Sequence, residues 1–349
     1  MRKYNAALKT IADLQAENRQ LKAQLGVSET APMVNDETEK STINKNSSTD
    51  EKIALIRKLF CGREDVFARR WHSKTTGKSG YQPVCENEWA EGLCDKKMYK
   101  CSACPNRKLL SLTDKAIYNH LAGKDECGRD VIGIYPMLDG DTCRFLCADF
   151  DDADYEKDVS AYKTVCEELQ IPVAIERSRS GSGSHAWIFF DEAIPAATAR
   201  KLGSIILTRA MEKRGELSFK SYDRLFPNQD AMPSGGFGNL IALPLQGLAR
   251  KNGNSMFVDE NFKPYADQWQ YLGTVKTVKT EQVEAIISQY GKAGELGNLV
   301  KETEDKPWET KKKQKLSVLD FPAELKIIRL VRFLLFLLFR DIAIGRHTV

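Results

Sequence analysis

No apolar run in this chain is long enough to span a bilayer, and neither sign of charge is in large excess. The most apolar segment, Ile327 to Phe339, is interrupted by Arg329 and Arg332. It falls short of the roughly 20 residues a spanning helix needs, so no membrane span is expected. Met1-Arg2-Lys3 leads into a charged helical pattern rather than the apolar centre of a secretion signal. A cytoplasmic, reducing setting is therefore expected, and the nine cysteines are not an extracellular disulfide set. A net charge of only +4 permits a nucleic-acid partner without requiring one. No Gly-Lys-Ser/Thr follows the glycine-serine turn at Ser180, which excludes a Walker A loop. No internal repeat is visible. Residues 27 to 50 contain no aromatic residue and are dominated by Ser, Thr, Asn, Asp and Glu. Such a segment cannot bury enough apolar surface to offset its ordering entropy, and it reads as a flexible linker.

What is present suits a soluble globular protein. Hydrophobic residues make up 42% and charged residues 29% of 349 positions, enough for a sizeable core in one large or two modest domains with tails. Residues 1–26 carry Tyr4, Ala7, Ile11, Leu14, Asn18, Leu21 and Leu25 in alternating steps of three and four. This is either a short coiled coil, with Asn18 favouring a parallel homodimer, or a solitary amphipathic helix. The main folded region is expected at 51–273. Residues 274–315 read as a helix and charged linker containing Lys311-Lys312-Lys313, and 316–349 as an apolar tail. That tail reads as a truncated or frame-shifted ending, with a partner-binding or membrane-surface helix as the alternative.

Hydrophobic periodicity places a buried strand at Cys143–Asp149, a helix at Tyr155–Gln170, and strands at Val173–Arg177 and His185–Phe190. A second helix follows at Ala196–Arg214 and a fourth strand at Asn239–Leu245. The order βαββαβ is that of the ferredoxin-like and RNA-recognition folds, an α+β class. With the usual sheet order 4-1-3-2, the end of the first strand adjoins the start of both its neighbours. Asp149, Asp151, His185 and a carboxylate at Asp223 or Asp230 would then meet at one edge of one sheet.

Asp149 and Asp151, at i and i+2 of a strand, project from the same face. Two carboxylates that close repel unless a cation lies between them, and their hard oxygens suit Mg²⁺ or Mn²⁺. The Ser180-Gly181-Ser182-Gly183 turn lets backbone approach a phosphate, with His185 placed to hydrogen-bond an oxygen. Arg177 and Arg179 precede it and are candidates for neutralising triphosphate charge, although arginines beside a strand are commonly plain surface residues.

An acidic D-x-D pair, a small-x-His turn and a later acid, in that order, resemble the archaeo-eukaryotic primase superfamily. Here they are Asp149-Phe150-Asp151, Gly183-Ser184-His185 and a carboxylate between Ser221 and Asp230. Gly62-Arg63-Glu64-Asp65-Val66 and Gly235 to Pro244 resemble the primase domains of helicase-linked TOTE conflict systems, and the likeness runs from about Leu59 to Trp269. It implies an RNA-recognition-like palm and nucleotidyl transfer with nucleoside triphosphates on a nucleic-acid template. It also implies two cations, one activating a 3′-hydroxyl and the other stabilising pyrophosphate, and a possible helicase partner. Placement ahead of a short variable segment favours Asp223 as the third acid, with Asp230 near nucleotide or template.

Cys85, Cys94, Cys101 and Cys104 form a second constellation. The Cys101–Cys104 knuckle offers two thiolates from one turn, which suits structural Zn²⁺ inserted at 85–104. Cys85 is the least regularly spaced, and His120 and Cys127 are possible substitutes. The alternative is a redox dithiol. Arg57, Lys58, Arg63, Arg69, Arg70 and Trp71 read either as a template-tracking stretch or as a solvated helix face with Trp71 in the core. Three functions compete: a primase-polymerase, a non-catalytic zinc-containing nucleic-acid-binding module, and an oligomerising remnant of a primase-helicase.

Overall fold

The structure, a computed structural model, describes residues 43–291 apart from 100, 152–153, 216–219 and 233–235. The heptad helix, most of the linker after it, and the chain beyond residue 291 lie outside the described residues. Helix α1 (Thr49–Leu59) begins just inside the expected linker. It opens on a capping box in which Ser48 accepts from the Glu51 amide and the Glu51 side chain accepts from the Ser48 amide.

In chain order there follow β1 (Ala68–His72), β2 (Ser79–Pro83), a short 3₁₀ turn at Cys101–Ala103, α2 (Asp114–Ala122), β3 (Ile132–Ile134) and β4 (Thr142–Asp151). Next come α3 (Tyr155–Glu168), β5 (Ala174–Arg177), β6 (Gly183–Pro195), α4 (Ala196–Arg214), β7 (Tyr222–Phe226) and β8 (Ile241–Ala242). The described part ends with α5 (Gly247–Arg250), β9 (Met256–Phe257), α6 (Gln268–Thr274) and α7 (Thr280–Tyr290). They build two antiparallel sheets, β7-β4-β6-β5-β9 and the smaller β2-β1-β3-β8.

The larger sheet has the expected 4-1-3-2 order, but its fourth strand is β7, not Asn239–Leu245. Ile241 and Ala242 instead pair with β3 in the smaller sheet. Residues 240–245 do form an apolar run, with Ile241, Leu243 and Leu245 buried in a core. The strand that completes the palm carries Asp223 and Arg224 in its middle, and that charge hides its strand character.

Alternation along β4 and β6 divides two cores. Leu146, Ala148 and Phe150 face α3 and α4 together with Ala186, Ile188 and Phe190, packing on Val159, Tyr162, Leu202 and Ile206. Phe145, Cys147, Trp187 and Phe189 belong to the opposite core with Ile56, Phe60, Ile134 and Ile241, between α1 and the smaller sheet. Both faces of β4 are covered, which is why it reads as an apolar run rather than an alternation. Fully burying each such side chain contributes about 2 kcal/mol.

Candidate active site

The sheet register builds the site row by row. Cys147 lies opposite Phe226 on one side and Trp187 on the other, and Trp187 lies opposite Ala174. This apolar row is the floor. Two residues further along β4, Asp149 lies opposite Arg224 of β7 and His185 of β6, and His185 lies opposite Glu176 of β5. Directly opposed residues share a face, so Arg224, Asp149, His185 and Glu176 form a charged row across four strands. Asp151 extends the face further, opposite Gly183. A Cβ on Gly183 would lie 2.5 Å from both Asp151 Oδ1 and the Phe150 carbonyl. Only glycine lets β6 pass this close to the second aspartate.

Asp223 completes the acidic group. The register between β4 and β7 slips between Asp149 and Phe150, which oppose Arg224 and Tyr222 respectively, leaving Asp223 as the extra residue of a bulge. One ligand oxygen from each of Asp149, Asp151 and Asp223 lies within 4.8 Å of the others. Arg224 Nε donates to Asp223 Oδ2 at 3.1 Å. Asp230, the other candidate, is 61% exposed and paired with Arg200. Three ionised carboxylates so close repel one another without a cation, and an all-oxygen donor set fits Mg²⁺ or Mn²⁺. These residues therefore fit the divalent metals that the primase resemblance implies.

His185 is held from two sides. Its Nδ1 lies 2.8 Å from Glu176 Oε2, and its Nε2 lies 3.4 Å from Asp149 Oδ1. Burial alone would lower the imidazole pKa, but the Glu176 and Asp149 carboxylates outweigh it and hold it well above its ordinary value. The sequence motifs do not single out Glu176. The available signal was a lone acid at an inward position of the apolar strand Val173-Ala174-Ile175-Glu176, since an acid is almost never fully buried unless paired.

The glycine-serine turn is a tight hairpin. Ser178 N–H donates to Gly183 O, Gly181 N–H donates to Ser178 O, and the Ser178, Ser180 and Ser182 hydroxyls are linked at 3.0 and 3.1 Å. Gly181 takes a φ of +82°, which a side chain would disfavour. The two arginines before the turn diverge. Arg177 donates to the carbonyls of Gly253 and Phe262, so its guanidinium braces a neighbouring loop. Arg179 lies near the Tyr81 phenol on β2, where its positive charge opposes the burial that raises the phenol's pKa. Its charge, after burial, helps lower the pKa of nearby Arg70.

Cys85, Cys94, Cys101 and Cys104 line one pocket with Leu93, Lys96 and Arg107. Lys108 N–H points at Cys85 Sγ at 3.4 Å. Burial and the neighbouring cysteines raise the Cys101 thiol pKa, with Lys96 opposing. An all-sulfur donor set with a backbone amide aimed at one thiol fits Zn²⁺. Among the described residues the cysteines do not form a group as compact as the three aspartates. His120 is not a substitute ligand. It is fully buried, accepting from Ile132 N–H at Nδ1 and donating from Nε2 to Pro244 O, both at 3.1 Å. Cys127 is outside that pocket's lining.

The basic stretch is largely tied down. Arg57 bonds Asp114 and the Leu112 carbonyl, Arg63 bonds Asp65, Arg69 reaches Glu88, and Arg70 donates to the Cys127 carbonyl. Trp71 is 37% exposed and lies over Gly80, outside the core.

The family described as "TOTE conflict system, Archaeo-Eukaryotic Primase domain" matches residues 51–286, two thirds of the chain. The chain belongs to that family. The matched span of this primase domain encloses both sheets, the charged row, the three aspartates and the cysteine pocket. Among solved structures, the polymerase domain of Mycobacterium tuberculosis Ligase D, in complex with DNA, is similar at 11% identity. That match covers 70% of this chain and 86% of the other, with a TM-score of 0.35. No curated protein matches the chain. No helix among the described residues is long and apolar enough to cross a membrane.

Proposed function

We propose that this chain is a primase-polymerase that joins nucleotides on a nucleic-acid template, in a mobile-element or conflict and defence setting. The convergence of Asp149, Asp151 and Asp223 beside His185, on one face of the palm sheet, carries this reading. Asp149, Asp151 and Asp223 would hold Mg²⁺ or Mn²⁺, which when bound supplies activation of a 3′-hydroxyl and stabilisation of the leaving pyrophosphate.

The chain's own residues do the rest. His185 presents Nε2 at the acidic cluster, where as an imidazolium, with Nδ1–H held by Glu176, it donates to a phosphate oxygen of the incoming nucleotide. Gly181 and Gly183 let backbone at the Ser180 turn approach the triphosphate. Arg179 supplies a charge beside Arg70, two like charges whose closeness favours an anionic partner. Arg177 supports the site from behind through the loop it braces. Cys85, Cys94, Cys101 and Cys104 would hold a structural Zn²⁺ that stabilises the segment packed beside the smaller sheet.

The test is primer extension on a defined single-stranded template with Mn²⁺ or Mg²⁺, comparing wild type with Asp149→Ala and Asp151→Ala. Template-dependent incorporation by wild type, abolished in both variants while they stay folded, is expected. Wild-type rates in either variant at matched metal would refute the assignment. Template binding by wild type without any incorporation would favour the binding-module reading.

A further inference from the structure

We infer that Glu176 is the positioning residue of His185, fixing which ring nitrogen faces the acidic cluster. The inference rests on the proposed function but concerns a side chain outside the acidic group and the glycine-serine turn. Glu176 is 2% exposed, and its carboxylate bonds His185, Trp187 and Ser255 rather than a Lys or Arg. A carboxylate taken this far from water is costly to keep unless its oxygens are satisfied. They are. Oε2 accepts from His185 Nδ1 at 2.8 Å and from Trp187 Nε1 at 3.0 Å, and Oε1 accepts from the Ser255 hydroxyl at 3.3 Å.

The Trp187 indole can only donate, so it orients Oε2 as an acceptor. An acceptor at Oε2 fixes the hydrogen of His185 on Nδ1. The ring is thereby locked with Nε2 toward Asp149 Oδ1, 3.4 Å away, and toward the face where a triphosphate would lie. The Trp187 indole also packs edge-on against the imidazole, with centroids 5.9 Å apart. Phe60, Phe145 and Phe189 hold Trp187 in turn. The apolar floor thus reaches the reacting face through one carboxylate, much as outer hydrogen bonds orient ligating histidines at metal sites.

The arrangement makes the obvious substitution informative. In Glu176→Gln the amide oxygen can take the place of Oε2 and accept both donors. The amide nitrogen then faces Ser255 Oγ, which can accept. Ring placement survives and only the charge is lost. Glu176→Ala removes the acceptor altogether.

The experiment measures equilibrium binding of a fluorescent N-methylanthraniloyl-ATP, with Mg²⁺, by wild type, Glu176→Gln, Glu176→Ala, His185→Ala and the Glu176→Ala/His185→Ala double variant. Melting temperatures are taken for each. Positioning predicts that Glu176→Ala weakens binding roughly 10- to 100-fold, that Glu176→Gln restores it to within about threefold of wild type, and that the double variant is no weaker than His185→Ala alone. Ile206→Val, buried in the helical core on the other face of the sheet, serves as a folding control, lowering the melting temperature with little change in binding. Imidazole ¹⁵N shifts of the metal-free protein should report a protonated Nδ1 in wild type and Glu176→Gln. Wild-type binding by a folded Glu176→Ala, or losses that add in the double variant, would overturn the inference. If His185→Ala itself binds normally while Glu176→Ala does not, the proposed nucleotide role of His185 fails instead. If Glu176→Ala does not fold, a failure of Glu176→Gln to bind overturns the inference on its own.

Discussion

His120 makes stability at mildly acidic pH a direct test of the packing between the two sheets' connecting elements. Its ring is fully buried between α2, the start of β3 and the chain after β8. It accepts from Ile132 N–H and donates to Pro244 O. Protonation would put a hydrogen on Nδ1 facing the Ile132 donor. Burial is the main cause that lowers its pKa, from 6.5 to about 4; the Pro244 and Leu243 backbone groups oppose this, and the positive charges of Arg250 and Arg179 add to it. Because the folded value is depressed, the unfolded chain binds more protons between pH 6.5 and 4. Stability is therefore full above pH 6.5 and lost as pH falls toward 4. At about 1.36 kcal/mol per pKa unit, the loss is about 2 kcal/mol by pH 5 and about 3 kcal/mol by pH 4. His185 has the opposite sign, its raised pKa contributing stability that is full below 6.5 and lost as pH rises above it, but that contribution is shared by a His120 variant and cancels in the difference. A glutamine makes the comparison clean: His120→Gln keeps a donor for Pro244 O and cannot titrate. It should be about 1–3 kcal/mol less stable than wild type at pH 7 because Ile132 N–H is left unmet. Urea unfolding at pH 7, 6 and 5 should show that gap shrinking by about 2 kcal/mol. A gap that stays constant with pH would refute the neutral-ring argument.

Two further outcomes follow from the site and the cysteine pocket. Asp223→Asn should lower metal-dependent incorporation by roughly 100-fold or more, whereas Asp230→Asn, which removes only an exposed pairing with Arg200, should stay near wild type; the reverse pattern in metal-titrated extension assays would mean the two roles are exchanged. Protein purified without chelator should contain one zinc per chain, and chelation should raise hydrogen exchange around residues 85–104 before it does so in β4 and β6; elemental analysis finding no zinc would remove the metal from that segment.

The parts of the site that could be read from the sequence are those lying along a single strand. Asp149 and Asp151 at i and i+2 needed only the period of β4, and His185 needed only its turn and the start of β6. Placement ahead of a short variable segment favours Asp223 in the sequence, and the structure brings Asp223, not Asp230, to the other two acids. The strand itself is not at residues 239–245, where the apolar run points to it, because that run belongs to the other sheet. A charged strand centre and an apolar loop exchange their ordinary signals here, because one carries the site and the other closes a second core.

What remained hidden depends on register between strands, and that is where the site acquires its order. A one-residue slip turns every side chain to the opposite face. The bulge at Asp223 is such a slip, confined to one position. Without it, Asp223 would lie opposite Phe150, whose ring is in the helical core. With it, Arg224 opposes Asp149 while Asp223 joins the acidic group. Glu176 shows the same dependence from the other side, since only the pairing of β5 with β6 sets it against His185. The apolar row at Cys147 and Trp187 pins that register by burial on both flanks. Core packing two residues away therefore determines which charges meet, and substitutions that loosen Trp187 or Phe226 should disturb the charged row before they unfold the palm.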